Sequence, residues 1–178
     1  MIFNDPRFPH SVSHPFTKTS EIDWTYNCIA WAYGSTTNWF WPKNTGMPTW
    51  FWPPNIPTEE NIESFVKLFE SIGYSLCENG KLEEGFQKVA IYEKNNIPTH
   101  AAKQLTNGLW SSKLGSHFDA SHRFATTYNS IDYGNVTRFM KRPVIPTPIP
   151  TPTNPPITPN PPLTTTPTPT LVLPTTNS

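Results

Sequence analysis

The placement of proline sets the first limit on what this chain can fold into. More than half of its 22 prolines lie beyond residue 142, in the run "PVIPTPIPTPTNPPITPNPPLTTTPTPTLVLPTTNS". Proline lacks an amide hydrogen and holds φ near one value, so repeated Pro-Thr excludes both a helix and a central strand. The run also has no charged residue, no glycine and no aromatic residue. It reads as an extended, disordered Pro/Thr-rich tail over 143–178. By composition it is a spacer or a segment that docks on a proline-recognising partner. One folded domain remains over 1–142, an ordinary size for a single core.

Prolines 42, 48, 53, 54 and 57 punctuate a second stretch, "NWFWPKNTGMPTWFWPP", in which Trp-Phe-Trp-Pro occurs at 39–42 and again at 50–53. Each copy is too short to be a solenoid unit. The prolines forbid a long helix, and the segment reads as an aromatic-rich loop folded back over the domain. Trp39, Trp41, Trp50 and Trp52 then either build a satellite core or line a cleft that holds a peptide or sugar by stacking.

The remaining segments carry periodic signals. A short helix over 27–33 ends at Gly34, a residue suited to a left-handed cap. A second helix spans 58–72, with Thr58 as N-cap, Glu59 and Glu60 in the first turn, and Ile62, Phe65, Val66, Leu68 and Phe69 on one face. Strands are expected at 86–94, 98–105, 109–115 and 134–142, with Asn107-Gly108 as a hairpin turn. Residues 1–22 read as an irregular arm, and "GSHFDASHR" as a polar loop holding His117 and His122. Helices followed by an antiparallel meander imply an α+β domain.

Charge is balanced, with 13 basic and 13 acidic residues. Nothing therefore steers the chain toward nucleic acid or an anionic membrane. No leader-like start and no membrane-length apolar run is present, which points to the cytoplasm, where Cys28 and Cys77 stay free thiols. No metal is expected, for want of Cys-x-x-Cys or His-x-x-x-His spacing. No other cofactor is expected either, since glycine is scarce and no phosphate loop occurs.

The candidate chemistry centres on "EIDWTYNCIAWAYG". Cys28 stands where the first helix begins, and a helix N-terminus favours a thiolate. A nucleophilic thiol also needs a base. Of the five histidines, His100 opens a strand and is followed by Ala101 and Ala102, small residues that let another element approach. Against this stands the structural reading, in which Cys28 is a small core residue and His100 a buried, hydrogen-bonded one. Cys77 reads as structural.

The segments "NCIAWA" and "THAAKQLTNGLWSSKLG" resemble the papain-like superfamily in its compact NlpC-type form, in a bacterial branch carrying such stretches. In those cysteine peptidases and amidases an Asp-Cys pair opens a helix, and a histidine opens a strand before a hairpin. Asn27-Cys28 and His100-Ala101-Ala102 correspond to them over roughly residues 24–142. The resemblance implies Cys28 as nucleophile and His100 as general base. Ser111 or Ser112 would orient the imidazole, with Asn107 and His122 behind them. Tyr26 or Asn27 would help the Cys28 amide hold an oxyanion. Trp31, Trp41 and Trp52 are further candidates for contacting substrate. The implied activity is hydrolysis or acyl transfer at an amide bond of a peptide or other amide-containing substrate. The alternative is a non-catalytic module on the same fold, binding through the Trp-rich loop and tethered by the tail.

Overall fold

The computed structural model describes residues 2–3 and 5–144. In chain order the elements are β1 (Ile2–Phe3), β2 (Phe16–Lys18), α1 (Cys28–Tyr33), β3 (Trp39–Phe40), β4 (Trp50–Phe51) and α2 (Ile62–Glu70). There follow β5 (Ser75–Cys77), β6 (Phe86–Lys94), β7 (Ile97–Gln104), β8 (Trp110–Lys113), β9 (Asp119–His122) and β10 (Asn135–Pro143). Eight strands form one antiparallel sheet in the order β1-β2-β9-β8-β7-β6-β10-β5. The fold is α+β, as expected, with few helices. Among the described residues no helix is long and apolar enough to cross a membrane.

The sheet is covered on both sides, which explains why β6 reads as the unbroken apolar run Val89-Ala90-Ile91-Tyr92. Val89 and Ile91 join Ala101 and Met140 under α1 and α2, against Ile29, Phe65, Leu68 and Phe69. Ala90 and Tyr92 join Ala102, Trp110 and Ala120 on the other side, under Phe8, Phe16 and Tyr128. A sheet buried on both faces lets odd and even positions of one strand serve two cores.

Several boundaries differ from expectation. The second helix starts at Ile62, and its N-cap is Asn61, whose side chain accepts from the Ser64 amide. Thr58 lies too far upstream to do this. The polar loop around His122 is in fact β9, and the irregular arm contributes β1 and β2 to the sheet edge. Pro143, expected to begin the tail, ends β10 opposite Phe86, and the Val144 amide donates to the Gly85 carbonyl at 2.8 Å. From residue 145 on, the Pro/Thr-rich tail and its expected partner lie outside the described residues.

The tryptophan repeat pairs with itself. β3 and β4 run parallel with Trp39 opposite Trp50 and Phe40 opposite Phe51. Two identical tetrapeptides thus form a two-stranded clip rather than a plain loop. Three of its four indole N–H groups are spent on anchoring: Trp41 to Glu60, Trp50 to the Trp41 carbonyl and Trp52 to the Pro57 carbonyl. Trp52 is buried against Phe65, at 5.4 Å between ring centroids. It belongs to the core and not to a substrate surface.

Candidate functional site: an aromatic pocket at the start of α1

The site is built from the cap of α1. Asn27 is the N-cap, and its Oδ1 accepts from the Ala30 amide at 3.1 Å. The same oxygen accepts from the Phe40 amide at 3.2 Å, while Nδ2 donates to the Phe40 carbonyl at 2.8 Å. One buried side chain therefore starts the helix and fastens the clip beside it. Gly34 closes the helix at φ 106°, the left-handed conformation that glycine adopts without strain.

The segment leading into Cys28 is pinned from β8 and β9. The Tyr26 hydroxyl donates to Asp119 at 2.8 Å. The buried Lys113 ammonium donates to the Asp23 carbonyl at 2.6 Å and also to the His117 carbonyl. Tyr26 and Asn27, expected to hold an oxyanion, are thus committed to structural bonds. Ser111 accepts the Trp31 indole N–H at 3.0 Å, and the Lys103 ammonium lies 3.5 Å from the centre of the Trp31 ring. Trp31 fastens α1 to the sheet and takes no part in the pocket.

The fixed start of α1 opens onto a cavity of about 250 Å³. Cys28 and Asn27, both buried, line its inner part together with Thr99. Trp39, Trp41 and Tyr133 supply aromatic faces, and Thr45 and Gly115 complete the lining. No charged side chain is among these residues. Tyr133 is positioned by the turn before β10, where Ser130 and Gly134 exchange backbone hydrogen bonds at 2.8 and 2.9 Å. Gly134 has φ 71°, and a Cβ there would collide with the Glu93 carbonyl.

The structure does not join Cys28 to His100. Cys28 belongs to the core under the helices, with Sγ 4.0 Å from the Thr99 carbonyl oxygen. His100 lies opposite Tyr92 in the β6–β7 ladder, on the other side of the sheet. Its ring stacks on Tyr133 at 4.2 Å and meets Tyr92 and Tyr128 edge-on. It is fully buried, and neither ring nitrogen has a hydrogen-bond partner among the described residues. Ser112 does not orient it. Ser112 bonds to His122 Nε2 at 2.9 Å instead. His122 Nδ1 lies 2.7 Å from the Phe124 carbonyl, which can only accept, so the proton is on Nδ1 and Ser112 donates to Nε2. Asn107 serves the β7–β8 turn, accepting from the Leu109 amide at 3.1 Å.

Electrostatics follow from burial. Desolvation pushes the Cys28 thiol up to about 11, against the smaller opposing pull of the Ala101, Ile29 and Cys28 amides. Desolvation lowers His100 to about 3, and the nearby His122 adds to that. At neutral pH the pocket thus holds a thiol, and the sheet holds a neutral imidazole. Cys28 and Cys77 are both free. Among the described residues, no three His, Cys, Asp or Glu side chains gather as a metal site.

A family model described as a domain of unknown function, DUF7689, matches residues 17–141. The chain belongs to the DUF7689 family. No curated protein and no solved structure matches it. The DUF7689 match spans α1, the paired tryptophan clip, α2 and most of β10, so every residue lining the pocket falls inside it. Sequence reasoning missed Tyr133 and Thr99 as members of this site. Nothing in the spacing of "SIDYGN" signals it, because Tyr133 reaches the pocket only through the turn at Ser130–Gly134.

The double duty of Asn27 makes a prediction. An aspartate caps a helix as well as asparagine does, but it has no donor for the Phe40 carbonyl and would face that oxygen with a buried negative charge. Asn27→Asp is expected to lower stability by about 2 kcal/mol or more, read from urea unfolding. Wild-type stability in that variant would mean that the clip does not depend on this bond.

Proposed function

We infer that this DUF7689 domain is a binding module whose pocket at the start of α1 takes an uncharged, amide-bearing aromatic group. One observation carries the reading: a cavity with two indole faces, one phenol face and no charged side chain, held open by a hydrogen-bonded cap. An uncharged aromatic lining favours a flat, neutral ligand, since a charged one would lose hydration without a partner. The thiol and the hydroxyls of Thr45 and Thr99 are the polar groups that would orient it. The test is titration of N-acetyl-phenylalaninamide against N-acetyl-phenylalanine by calorimetry. The amide is expected to bind at least tenfold tighter than its carboxylate counterpart. Trp39→Ala is expected to weaken the amide about tenfold, roughly 1.4 kcal/mol, as one aromatic face is lost. Equal binding of both probes, or an unaffected Trp39→Ala variant, removes the reading.

A second reading rests on a separate observation. Cys28 is the first residue of α1 and lines the pocket, and α1 packs on β7, the strand that carries His100. That arrangement of helix and strand supports a papain-like core, and with it a cysteine hydrolase or acyltransferase of amides. It requires a thiolate and a base beside it. The reactivity of Cys28, argued in the Discussion, separates the two readings.

A further inference from the structure

On the other side of the sheet from α1 lies a cleft of about 320 Å³ with a different character. Trp110, Phe124 and Phe139 supply its rings, and Lys81 and Arg123 supply positive charge. No acidic residue lines it, and it shares no lining residue with the pocket at Cys28. We propose that this cleft is a second ligand site, taking a planar aromatic carboxylate.

The rings are preset. Trp110 and Phe139 lie 6.0 Å apart between centroids at an interplanar angle of 53°, a V-shaped apolar wall. The backbone at Gly80 presses against both, since a Cβ there would come within 2.6 Å of the Phe139 ring and 3.0 Å of the Trp110 ring. That backbone is held: the Gly80 carbonyl accepts from Gln104 Nε2, and the Lys81 amide donates to Asn79 Oδ1, both at 3.0 Å. Lys81 is therefore delivered to the cleft edge from a fixed turn. Arg123 lines the same cleft, with its guanidinium 5.2 Å from the centre of the Phe124 ring.

Among the described residues neither cation has an ion-pair partner, although six other ion pairs are formed. Two unpaired cations beside an aromatic wall attract an anion that is itself flat. The ring buries against Trp110 and Phe139, and the carboxylate meets the guanidinium fork and the ammonium. The volume sits at the small end of ligand sites, enough for one or two fused rings and not for a long peptide. This cleft is cationic whereas the Cys28 pocket is uncharged, so the two sites are separable.

The experiment uses the full chain and the probe pair indole-3-acetate and indole-3-acetamide, compared by calorimetry at low and high salt. In the Trp39→Ala background, where the Cys28 pocket no longer holds the acetamide well, indole-3-acetate is expected to bind at least tenfold tighter than the acetamide at low salt. The preference is expected to shrink at 0.5 M salt, and to vanish in a Lys81→Gln/Arg123→Gln double variant. Both side chains are exposed, so the double variant keeps the wild-type thermal melt. Trp39→Ala, in the other pocket, is expected to leave acetate binding unchanged. Absence of acetate binding, equal affinity for the two probes, a preference that survives in the double variant, or its loss in Trp39→Ala each overturns the proposal.

Discussion

Acidification from pH 7 to about 4 is expected to destabilise this protein strongly, with His100 a principal reason. His100 and His122 are buried and held at about 3 and about 4, against an ordinary value near 6.5, chiefly by desolvation. A folded state with lowered histidine values binds fewer protons than the unfolded chain. Stability is therefore complete above pH 6.5 and falls as the pH drops below it, until the folded-state values are reached. Each histidine contributes up to about 1.4 kcal/mol of loss per pH unit in that window, so the pair removes roughly 4 kcal/mol by pH 5. That is a large share of the 5–15 kcal/mol typical of a domain. Carboxylates held low by partners, such as Asp5 by Arg7 and Asp23 by the Thr25 amide, lose their contribution only at still lower pH. The measurement is far-UV circular dichroism against pH, on the wild type and on His100→Phe. The imidazole makes no hydrogen bond and is enclosed by Tyr92, Tyr128 and Tyr133. A phenyl ring of similar size is expected to be neutral or stabilising at pH 7 and to move the acid midpoint down by about half a pH unit or more. An unchanged midpoint would assign the acid sensitivity elsewhere.

The same residue shows where sequence reasoning stops. The helix at Cys28 was legible because its stop, Gly34, is local; its cap, Asn27, reads as the helix's first residue. Strand β6 was legible from four successive apolar residues. The face on which His100 sits was not. Side chains alternate along a strand, so a single extra residue reverses every assignment beyond it. The β6–β7 ladder contains such an irregularity: Tyr92 pairs with His100, but Glu93 pairs with Pro98, leaving Thr99 over. Asn95 and Asn96, both at positive φ, close that hairpin. A bulge of this kind has no mark in "EKNNIPTHAA". Strand β9 was missed for another reason. Asp119, Ser121 and His122 look like loop residues, yet two of them spend their polarity on the partners Tyr26 and Ser112. Burial of polar residues is legible only once the partners are known, and these come from 93 and 10 residues away.

Cys28 is expected to resist alkylation in the native protein and to react normally once the chain is unfolded. A thiol held at about 11 carries roughly 300-fold less thiolate at pH 7.5 than one near 8.5. The greater nucleophilicity of a more basic thiolate returns about one order of magnitude. A net deficit of roughly 20-fold remains, and burial of the sulfur adds to it. Iodoacetamide labelling followed by mass spectrometry, in buffer and in urea, reads this directly, with Cys77 as the internal comparison. Slow native labelling that rises steeply only above pH 9 supports the binding reading, because no nucleophile is available at neutral pH. Suppose instead that Cys28 labels quickly below pH 8, and that His100→Phe abolishes this while the fold is retained. Then an ion pair forms between groups that this structure keeps on opposite sides of β7. The start of that strand must in that case rearrange around the Thr99 bulge, and the hydrolase reading takes precedence. The bulge at Thr99 lies directly before His100, so it is where such a rearrangement would start, and the labelling profile decides whether the pocket holds an inert thiol or a nucleophile.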